Sequence, residues 1–138
     1  MQTGEPIVVG TDGTDTAERA VDRAGVLARA FGVTVHVVSV YSDDTTPLRG
    51  AGRQGDRAHA QQHIDRAQER LAKEGVESEA HLSARDAGRA LVEIADEQNA
   101  QMIVVGNRGM TGAKRVLGSV PNHVSHHAHC DVVIVHTV

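Results

Sequence analysis

Residues 104–120, V-V-G-N-R-G-M-T-G-A-K-R-V-L-G-S-V, decide the fold. An apolar run, residues 102–105, leads into the stretch as a buried strand and stops at Gly106. Gly109 and Gly112 follow at three-residue spacing, and Gly118-Ser119 opens a helix. A strand, a glycine-rich loop and a helix N-terminus in succession form an arrangement that binds phosphate. Glycines let the backbone approach an anion closely. The first helical turn offers unpaired N–H groups and the positive end of the helix dipole. Ser119 adds a hydroxyl donor at the same place. The stretch is neither a G-x-x-x-x-G-K-[ST] nor a G-x-G-x-x-G motif. Spacing alone therefore leaves a second reading open, in which the glycines only make a tight strand-to-helix turn.

The rest of the chain supplies the same punctuation. Residues 6–10 (P-I-V-V-G) read as a strand buried on both faces, followed by the turn T-D-G-T at 11–14. Thr14 or Asp15 caps a helix over 16–31, whose inward stripe is Ala17, Ala20, Val21, Ala24, Leu27, Ala28 and Phe31. Gly32 ends it. Residues 33–41 form a β-branched second strand, and 42–55 a polar surface loop. A helix over 56–73 buries Ile64, Ala67 and Leu71, and Gly75 stops it. Residues 76–83 alternate as an edge strand, with Val76, Ser78, Ala80 and Leu82 on one face. Helices over 86–98 and 119–128 flank the central strand at 102–105, and 131–138 is a last strand.

Five strands alternating with four helices imply a doubly wound parallel sheet with right-handed crossovers, in one domain over 1–138. In order 3-2-1-4-5 the first and fourth strands are neighbours at the switch point, where ligands bind in such sheets. One crevice then collects Gly10, Thr11 and Asp12 with the glycine loop.

Composition excludes several alternatives. Against 14 basic residues stand 18 acidic ones, a net charge of −4, so a nucleic acid is not the expected partner. There is no Trp, one Phe and one Tyr, too few rings for base stacking. No apolar run reaches the ~18 residues of a membrane helix. The single Cys130 forms no internal disulfide and fits a reducing compartment. A cytoplasmic protein away from membranes is expected. His123, His126, His127 and His129 cluster, with His123 and His127 at i, i+4. Without a Glu in an H-E-x-x-H pattern, a solvated helix face is expected and no metal site. Asp12 has no second carboxylate or base placed beside it, and no G-x-S-x-G elbow surrounds Thr11, Ser119 or Ser125. Binding is expected, and no catalytic residue is assigned.

The motifs V-V-G-T-D-G at the first strand, G-N-R-G…G-S-V after the fourth, and the ending V-V-I-V together resemble the universal stress protein family, and especially its small single-domain actinobacterial members. The resemblance covers nearly the whole chain. It implies an adenine nucleotide alpha hydrolase-like fold and a stress-response sensor, not a metabolic enzyme. Nucleotide-binding members carry G-x2-G-x9-G-[ST]. Here Gly106, Gly109 and Gly118-Ser119 fit, with eight residues between Gly109 and Gly118 where the pattern has nine.

By resemblance, Thr11 and Asp12 contact adenine and ribose, and Val40 walls the adenine pocket. Gly106, Gly109, Gly118, Ser119 and Val120 cradle ribose and phosphates, with Gly10, Val105 and Arg108 completing the binding set. ATP is the implied ligand, its Mg²⁺ carried by the phosphates, and cyclic AMP the alternative. A nucleotide-free interaction module is the further alternative. Arg85 stands where the family often has a glycine, and either reaches an anionic ligand or lies in solvent. Lys114 and Arg115 either meet a phosphate or stay in water. Val132, Val133, Ile134 and Val135 lie at a sheet edge, where unpaired backbone groups invite pairing. The family pairs such edges about a two-fold axis, so a homodimer is expected.

Overall fold

The computed structural model describes residues 4–42, 56–107 and 118–136. Its nine elements are β1 (Ile7–Gly10), α1 (Asp15–Phe31), β2 (Val35–Val40), α2 (Arg57–Lys73), β3 (Ser78–Ser83), α3 (Ala87–Gln98), β4 (Met102–Gly106), α4 (Ser119–His127) and β5 (Asp131–Val135). The strands form one parallel sheet in the order β3-β2-β1-β4-β5. This is the predicted order, with β1 beside β4 at the centre and Val9 in register with Val104.

The strands sort their side chains between two cores. Ile7, Val9, Val35, Val37 and Val104 pack with Ala20, Val21, Ala24, Ile64 and Leu71 of α1 and α2. Val8, Val38, Ile103 and Val105 pack with Leu91, Ile94 and Val124 of α3 and α4. Consecutive strand residues point to opposite faces, so a continuous apolar run is what a sheet covered on both sides requires.

Side-chain caps set the helix starts. Thr14 Oγ1 accepts the Ala17 N–H at 3.2 Å, Asp56 Oδ1 accepts that of His59 at 2.9 Å, and Asp86 Oδ1 that of Arg89 at 3.3 Å. Gly32 (φ 68°) closes α1 in the left-handed region. Arg70 grips Asp22 through two hydrogen bonds, 2.9 and 2.6 Å, and Arg66 reaches Glu18 at 3.4 Å. These ion pairs fix α2 against α1.

Three sequence expectations change. Phe31 is 54% exposed although it fits the helical stripe; it is the last residue of α1. Ala80 is exposed, because β3 is an edge strand only partly covered by helices. Strands β2 and β3 begin at Val35 and Ser78, so Val33 and Val76 are buried outside the ladder. The loop expected over 42–55 falls, beyond Ser42, outside the described residues, as do the last two residues of the predicted final strand.

One polar pair sits within the sheet. His36 of β2 is buried, and its Nδ1 lies 2.8 Å from Nε2 of His81 on β3, one ring donating and the other accepting. Burial pushes the His36 imidazole below its usual 6.5; Glu79 pulls it up, and His81 adds to the lowering. The unfolded chain therefore takes up this proton first as pH falls. The stability held by neutral His36 is complete above about pH 6.5 and is lost on acidification toward its lower folded-state pKa. The thermal midpoint of the wild type should fall more steeply than that of His36→Val between about pH 7.5 and about pH 5. Parallel profiles would remove His36 as the cause.

Candidate functional site

The carboxyl ends of β1 and β4 meet at the centre of the sheet, where the chain order reverses. The turn after β1 is tightly held. Thr11 is buried; its N–H donates to the Val38 carbonyl at 2.9 Å, and its own carbonyl accepts the Ser39 hydroxyl at 2.9 Å. Thr11 Oγ1 accepts the Gly13 N–H at 3.2 Å. Asp12 is exposed, and its Oδ1 accepts both the Thr14 N–H (3.0 Å) and the Thr14 hydroxyl (2.6 Å). An Asx-type turn thus holds an exposed carboxylate just after the carboxyl end of β1.

Val105 is buried and Gly106 half-buried at the end of β4. Asn107 is buried; its N–H donates to the Val135 carbonyl at 3.0 Å, and Nδ2 lies 3.2 Å from His136 Nδ1. Because β4 and β5 are parallel, α4 runs back antiparallel to both. Its N-terminus consequently lies at the carboxyl ends of the strands. Gly118 is its N-cap, without a side-chain cap bond; Ser119 is exposed, and half-buried Val120 packs on the α3–α4 core. Val40 ends β2 and packs on the same core.

Gly10, Thr11, Asp12, Val40, Val105, Gly106, Gly118, Ser119 and Val120 therefore belong to one end of the sheet. Arg108, Gly109, Gly112, Lys114 and Arg115 lie outside the described residues. Arg85 is exposed and pairs with Glu93 at 3.1 Å. A depression of about 400 Å³ lies between β3 and α3, with His81, Ser83, Glu93 and Glu97 in its wall; it includes none of the predicted site residues.

The histidines of α4 form a helix face. His123 and His127 stack with centroids 4.2 Å apart, and His123 is half-buried against Gly88 of α3. His126 and His127 turn Nδ1 back to the carbonyls of Asn122 and His123, and His129 pairs with Asp96 at 3.1 Å. Among the described residues no three His, Cys, Asp or Glu side chains converge for a metal. Cys130 is half-buried on the α3–α4 core; burial pushes its thiol up, and Asp131 and Asp96 add to the effect.

Two contributors were not singled out from sequence. Ser39 is a buried hydroxyl in an apolar strand; its one signal is polarity inside V-V-S-V. His63 of α2 lies over Gly13. It falls three residues after Ala60 and four before Ala67, on the rim of the buried stripe, and that spacing is its only signal.

The sheet order defines a doubly wound α/β protein, with its candidate site at the switch point. Residues 4–136 match the model of the universal stress protein family. A universal stress protein of Mycobacterium tuberculosis is 38% identical over 146 residues, covering 99% of each chain. A universal stress protein solved in complex with cAMP superposes with a TM-score of 0.80 at 36% identity, covering 97% of this chain and 98% of that one. One from Archaeoglobus fulgidus, in complex with dAMP, gives 0.74 at 34% identity, covering 95% and 97%. The chain belongs to the universal stress protein family.

Proposed function

We propose that this chain binds an adenine nucleotide in the strand-end crevice between β1 and β4 and acts as a stress-response sensor. The observation that carries the reading is the convergence of an Asp12-bearing turn and a glycine-capped helix N-terminus on one end of the sheet. Asp12 is suited to accept hydrogen bonds from ribose hydroxyls or the adenine amine. The amides of Ser119 and Val120, at the positive end of α4, suit a phosphate. Val40 and Val105 offer apolar contact for the base. Arg108 and Gly109 join this set in the proposal.

The G-x2-G…G-S pattern favours ATP, with Mg²⁺ carried on its phosphates. The relative in complex with cAMP favours cyclic AMP, and the eight-residue spacing suits a ligand with a single phosphate. Binding, not turnover, is the proposed activity. A homodimer formed through Val132, Val133, Ile134 and Val135 completes the proposal, since β5 is an edge strand and Ile134 is 37% exposed on it. The Asn107 contacts to Val135 and His136 tie the end of β4 to that edge, a route by which occupancy can alter what the dimer presents. A cytoplasmic location is consistent with this, and no helix among the described residues is long and apolar enough to cross a membrane.

Calorimetric titration of nucleotide-stripped protein with cyclic AMP, and separately with ATP and Mg²⁺, tests the reading. Saturable 1:1 binding of either supports it. Binding of cyclic AMP alone assigns the shortened loop to a single phosphate. No heat with either ligand at millimolar concentration rejects the nucleotide site.

A further inference from the structure

Gly13 has a left-handed φ of 80°, and the space where a side chain would start is already filled. A Cβ there would fall 2.6 Å from Nε2 of His63. The imidazole of α2 thus rests on bare backbone of the turn that carries Asp12. Helix α2 is not free to withdraw it, because Arg66 and Arg70, one and two turns further on, are tied to Glu18 and Asp22 of α1. The other described holds on this turn come from the turn itself, from β2, and from the first turn of α1, where Thr14 accepts the Ala17 and Glu18 N–H groups.

We propose that His63 is a positioning residue of the candidate site: seated on Gly13, it clamps the turn of residues 11–14 and sets where the Asp12 carboxylate points. The inference rests on the adenine-nucleotide reading for its effect on affinity, while the clamp itself is a property of the ligand-free protein. Charged and titratable groups surround the ring. Asp12 faces it from the turn, Arg66 and His59 lie on its own helix, and α1 contributes Asp15 and Glu18, which act on the neighbouring arginines. Burial, reinforced by Arg66 and His59, holds the ring neutral, while Asp12 favours its charged form. A protonated His63 draws the Asp12 carboxylate toward itself and away from a ligand.

The test uses cyclic AMP, whose phosphodiester does not titrate near neutrality. Wild-type affinity should fall about fivefold between about pH 7.5 and about pH 5 as His63 gains its proton. His63→Phe, which keeps a ring on Gly13 but cannot ionise, should bind with a flat profile, and His63→Ala should bind more weakly at every pH. In the ligand-free protein, the Gly13 and Thr14 amide resonances should follow the His63 titration in the wild type and ignore pH in His63→Phe. Amides that behave alike in both proteins overturn the clamp, whatever binds. A pH profile shared by wild type and His63→Phe overturns the effect on affinity. Affinity that rises in acid and loses this rise in His63→Phe means direct contact with the phosphate, which overturns a positioning role. Amides that follow His63 in a protein that binds neither cyclic AMP nor ATP uphold the clamp and reject the nucleotide site.

Discussion

An Ile103→Ala variant will unfold with about 2–5 kcal/mol less free energy than the wild type. Ile103 is fully buried in β4, in register with Val8 of β1 and Val132 of β5. Its side chain meets the core formed with Leu91, Ile94 and Val124 of α3 and α4. Truncation removes three carbons from a site walled by a sheet and two helices. Strand spacing is fixed by the backbone ladder, so the walls cannot close on the space, and a cavity term adds to the lost transfer free energy. Val26→Ala, at a position 55% exposed on α1, should stay within about 0.5 kcal/mol of wild type and serves as the control. Urea denaturation reads both. A loss below about 1 kcal/mol at Ile103 would mean that the two helices can collapse onto the sheet.

The same residue shows why the fold was legible. Residues 102–105 and 7–9 are apolar runs too short for a helix, rich in β-branched residues and bounded by Pro, Gly or polar residues, which together point to a strand covered on both faces. Once two buried strands were placed, the alternation with helices left few sheet orders compatible with right-handed crossovers. The strand-end turn was legible for a local reason: Thr, Asp and Gly in succession specify their own hydrogen bonds, as Asp12 and Thr14 make them.

Contacts between elements distant in sequence were not legible. Nothing in R-A-H-A-Q-Q-H-I says that His63 lies on Gly13, 50 residues earlier. The His36–His81 bond spans 45 positions and needs the β2–β3 register to be known first. Phe31 fits the helical stripe by spacing, but periodicity gives a direction around the helix and does not say where along it burial stops. Asn107 follows Gly106 in what reads as a loop, yet it is buried, bonded to Val135 at the end of β5 and to His136 just after it.

The substitution that separates site from scaffold most sharply is Gly118→Asp. Gly118 caps α4 with φ −63° and ψ 168°, a conformation open to any residue, and supplies no side-chain bond to the helix amides. Aspartate is among the best residues at an N-cap: its carboxylate accepts an N–H of the first turn and complements the helix dipole. Stability should therefore rise by about 0.5 kcal/mol. The same carboxylate occupies the anion position that the proposed nucleotide needs, and it brings a like charge. Two negative charges about 4 Å apart at a protein surface repel by up to about 4 kcal/mol, so cyclic AMP affinity should fall at least about thirtyfold while the thermal midpoint moves upward. Gly118→Asn supplies a comparable cap without the charge and should lose much less affinity, which distinguishes charge from bulk. Loss of affinity together with loss of stability would trace the defect to folding. Undiminished binding by Gly118→Asp would mean that the phosphate does not sit at the N-terminus of α4, and the crevice would have to hold its ligand by the Asp12 side alone.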